Sequence, residues 1–353
     1  MSVACEAQSK NRSVVIISPA LAAANNGNWQ TARRWQQLLQ SATLPGARLS
    51  VRIVSQWPDG PLAAHDDCML ALHARRSAPS VQAWAQKHGG VADHADDAAA
   101  GLAVVLTGTD LYRDIQTDPQ AQRSLKLAQR LVVLQSLGLQ ALPTELQART
   151  QVIFQSTSQR QILPKSAHRL RALMVGHLRE EKSPQTLFAV ARLLGAQDGI
   201  FIDHVGSPLD PALAELAQAT AAACPHYRWL GGLPHEATRR RIQRAHVLVH
   251  ASRMEGGAHV VMEAVCSGTP VLASRIAGNV GMLGPDYAGY FDWNDATQLL
   301  ALLRRCHRDR DFHAQLQAQC AARSPLFSRT AEQRALHQLV GELLLGAPAG
   351  ACD

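Results

Sequence analysis

Two glutamates eight positions apart, Glu255 and Glu263, flank a Gly256-Gly257 pair in the otherwise apolar stretch SRMEGGAHVVMEAVCSGTPVLAS, residues 252–274. An ionised carboxylate is a pure acceptor, and one carboxylate can take both hydroxyls of a vicinal diol. Paired glycines remove side chains where a ligand must reach the backbone, and the N–H groups at the start of a following helix suit a diphosphate. A diol acceptor beside a diphosphate site is the chemistry of a nucleotide-sugar, with one glutamate for the ribose and the other for the sugar beyond the diphosphate. Arg253, Glu255, Gly256, Gly257, Ala258 and Glu263 are therefore candidate donor-binding residues.

The surrounding pattern indicates what must hold them. HVLVHA (246–251) reads as a strand and SRMEGG as a turn. AHVVMEAVCSG then reads as a helix whose Val260, Val261, Ala264 and Val265 face a sheet, so Glu255 precedes the helix and Glu263 lies inside it. The same alternation of short apolar runs and amphipathic stretches, the signature of βα units around parallel sheets, fills the chain. Strands are expected at 13–18, 49–54, 68–72, 102–107, 130–134 and 151–154, and again at 171–176, 199–205, 227–231, 246–251 and 269–274. QSTSQRQILPKSAH (155–168) loses periodicity as a linker would, and from 294 onward the pattern is helical only.

The expected fold class is α/β: two Rossmann-like domains facing a central cleft, with C-terminal helices. The expected boundaries are 1–158, a linker at 159–168, a second domain at 169–325, and a helix and tail at 326–353 that pack back toward the first domain. Such folds bind ligands beyond the C-terminal ends of their strands. The polar turns lie there: Asn26-Gly27-Asn28, Thr107-Gly108-Thr109-Asp110, Gly176-His177-Leu178-Arg179 and Arg253-Met254-Glu255.

Composition narrows the function classes. The chain has 353 residues, 46% hydrophobic and 18% charged, enough for about two cores, without repeats or low complexity. Its formal charge of +7 favours anionic ligands only weakly, because just five of 35 basic residues are lysines (Lys10, Lys87, Lys126, Lys165, Lys182) and an arginine-rich composition alone gives that excess. No basic block interleaved with aromatics points to nucleic acid. Seven cysteines, odd in number and widely spaced, argue for a reducing cytoplasm and against a disulfide or zinc framework. Lys10 and Arg12 before VVIISPALAAA loosely imitate a signal peptide, but VVII is too short, Pro19 interrupts it, and a first strand is the better reading. No run reaches transmembrane length, so no membrane partner is expected.

With its Gly-Gly turn and the CSGTPVLAS continuation, the Glu255–Glu263 spacing resembles the E-x7-E pattern of retaining glycosyltransferases of family 4, which have the GT-B fold. That resemblance implies a second phosphate-binding element of the form G-R-L-x-x-x-K. Here it is Gly176-His177-Leu178-Arg179-Glu180-Glu181-Lys182: Lys182 keeps its place, His177 replaces the arginine, and Arg179 follows two residues later. The resemblance also places Gly27 and Asn28, in GNWQTARRW, in the glycine-rich first loop of the donor site. It makes Arg179, Lys182, Glu255 and His177 the catalytic candidates.

ALHARRSAPSV (71–81), VVLTGTDLYRDIQTDPQAQRSL (104–125), LVVLQSLGLQALP (131–143) and ASRIAGNVGMLGPDYAGYF further resemble the selenosugar synthases of the selenoneine pathway, over about residues 13 to 345. This implies transfer of a hexosamine, expected to be N-acetylglucosamine, from a UDP-sugar to selenophosphate, with release of UDP and phosphate. It also implies functional coupling to a selenophosphate synthetase and a downstream selenoneine synthase, and no cofactor or metal. A small inorganic anion needs a compact cationic pocket, and the acceptor candidates are His73, Arg75, Arg76, Thr107, Thr109, Asp110 and Arg113. Each arginine can equally lie on a solvated loop, and Asp110 can instead cap the following helix. Selenium that is already anionic removes the need for a strong base; His73 or His177 could assist the water that cleaves the Se–P bond.

Three other features are expected to be structural. Asp93-His94-Ala95-Asp96-Asp97 has metal-ligand types in an alanine-rich loop. Cys306, His313 and Cys320 recur every seven residues, roughly 10 Å apart on a helix and too far for one zinc. Trp29 and Trp35 flank Arg33 and Arg34 and support the N-terminal loop more readily than a membrane. Rival functions are a family 4 transferase with a hydroxyl acceptor, an epimerase, and a non-enzymatic nucleotide-sugar sensor.

Overall fold

The computed structural model describes residues 10–21, 27–41, 47–90, 98–166 and 168–345, and divides into two compact units, Met1–Gln155 with Arg329–Asp353, and Ser156–Ser328. In the first, β1 (Lys10–Ile17), α1 (Gly27–Gln40), β2 (Ala47–Val54), β3 (Cys68–Leu72), α2 (Ala78–Lys87), β4 (Ala99–Leu106), α3 (Ile115–Thr117), α4 (Pro119–Leu127), β5 (Ala128–Val133), α5 (Thr144–Gln147) and β6 (Thr150–Val152) alternate. The six strands form a parallel sheet in the order β2-β1-β3-β4-β5-β6.

Its strands read as continuous apolar runs because both faces are covered. Val15, Ile17, Met69 and Val104 pack on one side with Trp84, while Val14, Ile16, Leu70 and Val105 pack on the other with Trp35 and Leu38. That second layer is completed by the last helix, whose Leu336, Leu339 and Val340 are fully buried. Pro119 with Asp118 shows how a sequence starts a helix here: the Asp118 carboxylate accepts from Gln120 and Ala121 N–H at 2.9 Å, and proline needs no donor in the first turn.

The second unit runs β7 (Leu170–Val175), α6 (Pro184–Leu193), β8 (Ile200–Val205), α7 (Pro211–Ala223), β9 (Tyr227–Trp229), α8 (His235–Arg244), β10 (Val247–His250), α9 (His259–Val265), β11 (Val271–Ser274), α10 (Ala277–Leu283), β12 (Tyr290–Phe291), α11 (Ala296–Arg308) and α12 (Arg310–Arg323). Its parallel sheet has the order β12-β11-β10-β7-β8-β9. The last helix, α13 (Arg329–Leu345), belongs to the first unit.

Eleven strands lie where the sequence placed them, within a few residues. β12 has no counterpart in the sequence reading, because two residues carry no period. The segment expected as a linker is irregular but packed: Arg160 N–H donates to Cys266 O, Arg239 binds Thr157 and Ser158, and His246 reaches Ser166 O at 2.8 Å. Those contacts place it in the second unit from Ser156.

Candidate functional site

In the second sheet the strand order reverses between β7 and β10, the point at which doubly wound sheets bind ligands. The loops after these strands are 176–183 and 251–258. Both are held close by glycine. A Cβ on Gly206 would lie 1.8 Å from Gly176 O, and one on Gly278 would lie 2.1 Å from Glu255 O, so any side chain there would push the loops off the sheet. His204, fully buried, fixes the Gly176 carbonyl from beneath: its Nε2–H donates to Gly176 O at 3.1 Å and its Nδ1 accepts from Tyr227 OH at 3.0 Å. Gly176 O can only accept, so the Nε2 tautomer follows. Burial lowers this imidazole to about 4, so it stays neutral.

Lys182 Nζ lies 2.5 Å from Glu255 Oε1, and His250 Nε2 stands 3.3 Å from the same oxygen. Burial alone would raise the Glu255 pKa. Lys182, and then His250, outweigh it and hold the carboxyl below the ordinary range. The two side chains expected to meet a diphosphate and a sugar are thus bonded to each other. His250 was missed by sequence reasoning; its signal was a polar residue closing an otherwise apolar strand.

Glu263 lies inside α9 as expected and is 5% exposed. Its Oε1 accepts from His235 Nε2 at 2.6 Å and lies 3.7 Å from Arg239 Nη1. The hydrogen bond to Glu263 raises the His235 pKa, against its partial burial. α9 buries Val261, Met262, Ala264 and Val265, whereas Val260 is only half-buried. Met262 rather than Val260 is thus the more buried of the two.

The other donor candidates lie on these same two loops, except Gly27 and Asn28 in the first unit. His177 is exposed and its Nδ1 accepts from Ser207 N–H at 3.1 Å; partial burial, then Arg179 and Lys182, lower its pKa. Arg179 is exposed, its Nε 4.0 Å from Glu181. Arg253 turns to Glu180, 3.3 Å away, and stacks on Trp293 with 5.2 Å from guanidinium carbon to ring centre. Half-exposed, it fastens these loops through both its charge and its flat face. Gly256 and Ala258 are buried and Gly257 half-buried in the 251–258 loop. Gly27 and Asn28 open α1 in the first unit, where Thr31 Oγ1 donates to Gly27 O at 2.8 Å; Asn26 is outside the described residues.

The first unit gathers the acceptor candidates around the ends of β3 and β4. Asp110 is fully buried, and its carboxylate accepts from Ala74, Thr107 and Gly108 N–H, each at 2.9 Å. That corrects its expected contact with an acceptor: three backbone donors occupy it, and it latches the two strand-end loops together. It does not act as a side-chain helix cap either. Between Asp110 and Ile115 a π turn, with Ile115 N–H on Asp110 O, widens the helix entry.

His73 follows β3 at φ 73° and is buried, its Nε2 3.3 Å from Thr109 Oγ1. Burial lowers its pKa, Asp110 and Asp114 oppose this, and Arg76 and Arg75 reinforce it. Arg75 Nε and Arg113 Nε both donate to Asp114, at 2.9 and 3.1 Å, on different oxygens. Arg76 is exposed; Thr107 and Thr109 are half-buried. Sequence reasoning overlooked Asp114, although an acid one residue after Arg113 was its signal.

The remaining expectations resolve into packing. Cys306 and Cys320 are buried, Cys320 Sγ lying 3.4 Å from Tyr287 OH, and His313 Nε2 bonds His246 O at 3.0 Å. Trp35 is fully buried with its Nε1–H on Glu332 at 2.8 Å. Asp93–Asp97 lie outside the described residues. Among the described residues no three His, Cys, Asp or Glu side chains are grouped to hold a metal, and no helix is long and apolar enough to cross a membrane. A cavity of about 500 Å³, lined by Arg171, Asp203, Arg241 and Arg244, runs along α8 and away from the strand-end loops. Asp203 already pairs there with Arg228 and Arg241.

Residues 155–323, a little under half of the chain, match the family described as glycosyl transferases group 1. The whole chain is similar to sucrose-phosphate synthase from Thermosynechococcus elongatus (TM-score 0.72, 18% identity, 95% of this chain and 100% of that one). It is also similar to Anabaena HepE in complex with UDP and glucose (0.67, 12%, 94% and 99%). A S. aureus TarM mutant in complex with Fondaparinux, alpha-GlcNAc-glycerol and UDP matches at 0.58 and 12%, over 78% of this chain and 56% of that one, so this chain spans little more than half of TarM. Identities this low establish the architecture. The chain has the GT-B fold, and the stretch that matches the glycosyl transferases group 1 description coincides with most of its second unit.

Proposed function

We propose that the protein is a UDP-sugar-dependent glycosyltransferase that passes a hexosamine, N-acetylglucosamine in the first instance, to selenophosphate. The observation that carries the donor half is the Lys182–Glu255 pair at the reversal point of the second sheet, with Glu263 inside the helix that follows, α9. The bound UDP of the HepE and TarM structures supports a uridine diphosphate donor. An ammonium has three N–H groups; with one on Glu255, two remain to meet diphosphate oxygens. Glu255, kept ionised, accepts from sugar hydroxyls, and Glu263 accepts from the ribose diol.

As the anomeric carbon–oxygen bond breaks, negative charge grows on the UDP β-phosphate, and Lys182 with Arg179 stabilises it electrostatically. The selenium of selenophosphate supplies the electron pair for the new carbon–selenium bond, so no hydroxyl proton has to be removed. The first product is a sugar–selenium–phosphate. Water then adds to phosphorus, the Se–P bond breaks, and the selenosugar and phosphate leave. A cationic acceptor group in the first unit, Arg75, Arg76 and Arg113, supports an oxyanion as the second substrate. A selenophosphate synthetase would supply this substrate and a selenoneine synthase would consume the product. Anaerobic incubation with UDP-N-acetylglucosamine and selenophosphate, read by mass spectrometry, tests the proposal. UDP release only when a hydroxyl acceptor replaces selenophosphate would establish the conventional family reaction instead.

A further inference from the structure

We infer that the cavity along α8 is a second ligand site, for a phosphate monoester with a hydroxyl-bearing body, a nucleotide or a sugar phosphate. The cavity measures about 500 Å³ and lies wholly in the second unit, between α8 and the strands β7 and β8. Its charged wall is Arg171, Asp203, Glu236, Arg240, Arg241 and Arg244, while Leu173 and Ala237 add apolar surface. A cavity of this volume suits a small molecule, and a lining rich in guanidinium suits phosphate oxygens.

Packing a parallel sheet does not call for these charges, because such sheets are covered by apolar side chains on both faces. Asp203 nevertheless sits in β8, in register with Leu173 of β7, and Arg171 shares that face two residues before Leu173. Each carboxylate already serves two arginines. Asp203 takes Arg228 at 2.7 Å on Oδ1 and Arg241 at 3.2 Å on Oδ2, and Glu236 takes Arg160 at 2.5 Å on Oε2 and Arg240 at 3.2 Å on Oε1. Arg171 and Arg244, both exposed, enter no ion pair among the described residues. Six arginines thus stand against two carboxylates, an excess that favours a dianion. A carboxylate has lone pairs beyond the two its arginines use, and these accept from hydroxyls of the ligand's body.

The helix keeps this site apart from the donor candidates. His235 and Arg239, four residues apart, approach Glu263 from one side of α8. At 3.6 residues per turn, Ala237, Arg240, Arg241 and Arg244 fall on the opposite side. Along β7, Arg171 stands about 16 Å of strand before Gly176. The inference therefore holds independently of the proposed reaction. Its test is calorimetry on the full chain at fixed ionic strength, with adenosine 5′-monophosphate, glucose 6-phosphate and inorganic phosphate as probes. The wild type should bind one of the two esters saturably and more tightly than inorganic phosphate. Changing Arg171→Gln and Arg244→Gln together should weaken that binding about tenfold or more and leave the affinity for UDP unchanged. Preference for either ester upholds the site and shows whether its body is a nucleoside or a sugar.

A wild type without saturable binding of either ester overturns the inference, as does ester binding that the double variant retains. Loss of ester and UDP affinity together in that variant overturns it too, because the two ligands would then share one site. Inorganic phosphate bound as tightly as the esters rejects a monoester as the ligand. Should the double variant not fold, Arg171→Gln and Arg244→Gln taken singly, both at exposed positions, decide by the same measurement. Ester binding by a protein that forms no selenium product leaves this site standing and rejects the proposed reaction.

Discussion

Lys182 and Glu255, 73 positions apart in sequence, meet at 2.5 Å between Nζ and Oε1, with side chains only 15% and 11% exposed. Breaking such a pair leaves a charge stranded in a poorly solvated place. Lys182→Met should destabilise the second unit by roughly 3 kcal/mol, and replacing both partners should cost less than the sum of the single changes. Denaturant unfolding of the four members of this cycle checks it; strict additivity would show that the pair is not coupled.

Under the proposed function, Glu255→Gln keeps the shape of the side chain but loses the charge that orders Lys182. The expected outcome is a loss of about a hundredfold or more in kcat with the fold intact. Steady-state kinetics beside a circular dichroism spectrum would show it.

Glu263→Gln should weaken UDP binding about fivefold to tenfold, by removing ionised acceptors from the ribose hydroxyls. His235 should contribute a pH dependence. Its folded pKa is raised by Glu263, so its contribution is present below the unfolded value and is lost as pH rises through the folded one. Unfolding midpoints across pH 6 to 8 report the stability contribution of His235, and calorimetric titration of wild type and Glu263→Gln with UDP reports the ribose contact; equal affinities would remove the ribose role.

His204 titrates the other way. Its folded value is lowered to about 4 while the unfolded imidazole takes up its proton near the ordinary 6.5. Between these values the unfolded chain binds more protons, so stability falls as pH drops through that window, by about 3 kcal/mol for this group at most. His204→Gln should flatten that part of the stability-versus-pH curve and loosen the Gly176 loop that His204 holds. Unfolding midpoints from pH 4 to 7 provide the check.

Glu332 ties α13 to α1, its carboxylate taking Arg34 Nε at 3.0 Å and Trp35 Nε1 at 2.8 Å with the side chain fully buried. Glu332→Ala strands both donors in the core of the first unit. A loss of roughly 3 kcal/mol in stability is expected, measured by denaturant unfolding.

The strands were legible because each is an apolar run covered on both faces, and their order of appearance implied parallel sheets. The Glu255–Glu263 spacing was legible because one turn and one short helix separate the two residues, a local relationship. What lay beyond the sequence is what long-range pairing decides. Nothing in the sequence shows that Lys182 and Glu255 bond to each other, that three backbone amides occupy Asp110, or that Asp114 collects two arginines from separate strand-end loops. His204 and His250 read as ordinary strand residues until neighbouring strands bring Gly176 O and Glu255 to them. The stacking of Arg253 on Trp293, 40 residues later, is equally beyond the reach of a local pattern.

The central claim is tested most directly by mass spectrometry of the purified protein incubated anaerobically with UDP-N-acetylglucosamine and selenophosphate, beside donor-only and acceptor-only controls. The account predicts a product with the hexosamine mass and the selenium isotope pattern, formed in step with UDP and only when both substrates are present. UDP release with no selenium-bearing sugar, or none at all from this donor, would contradict it.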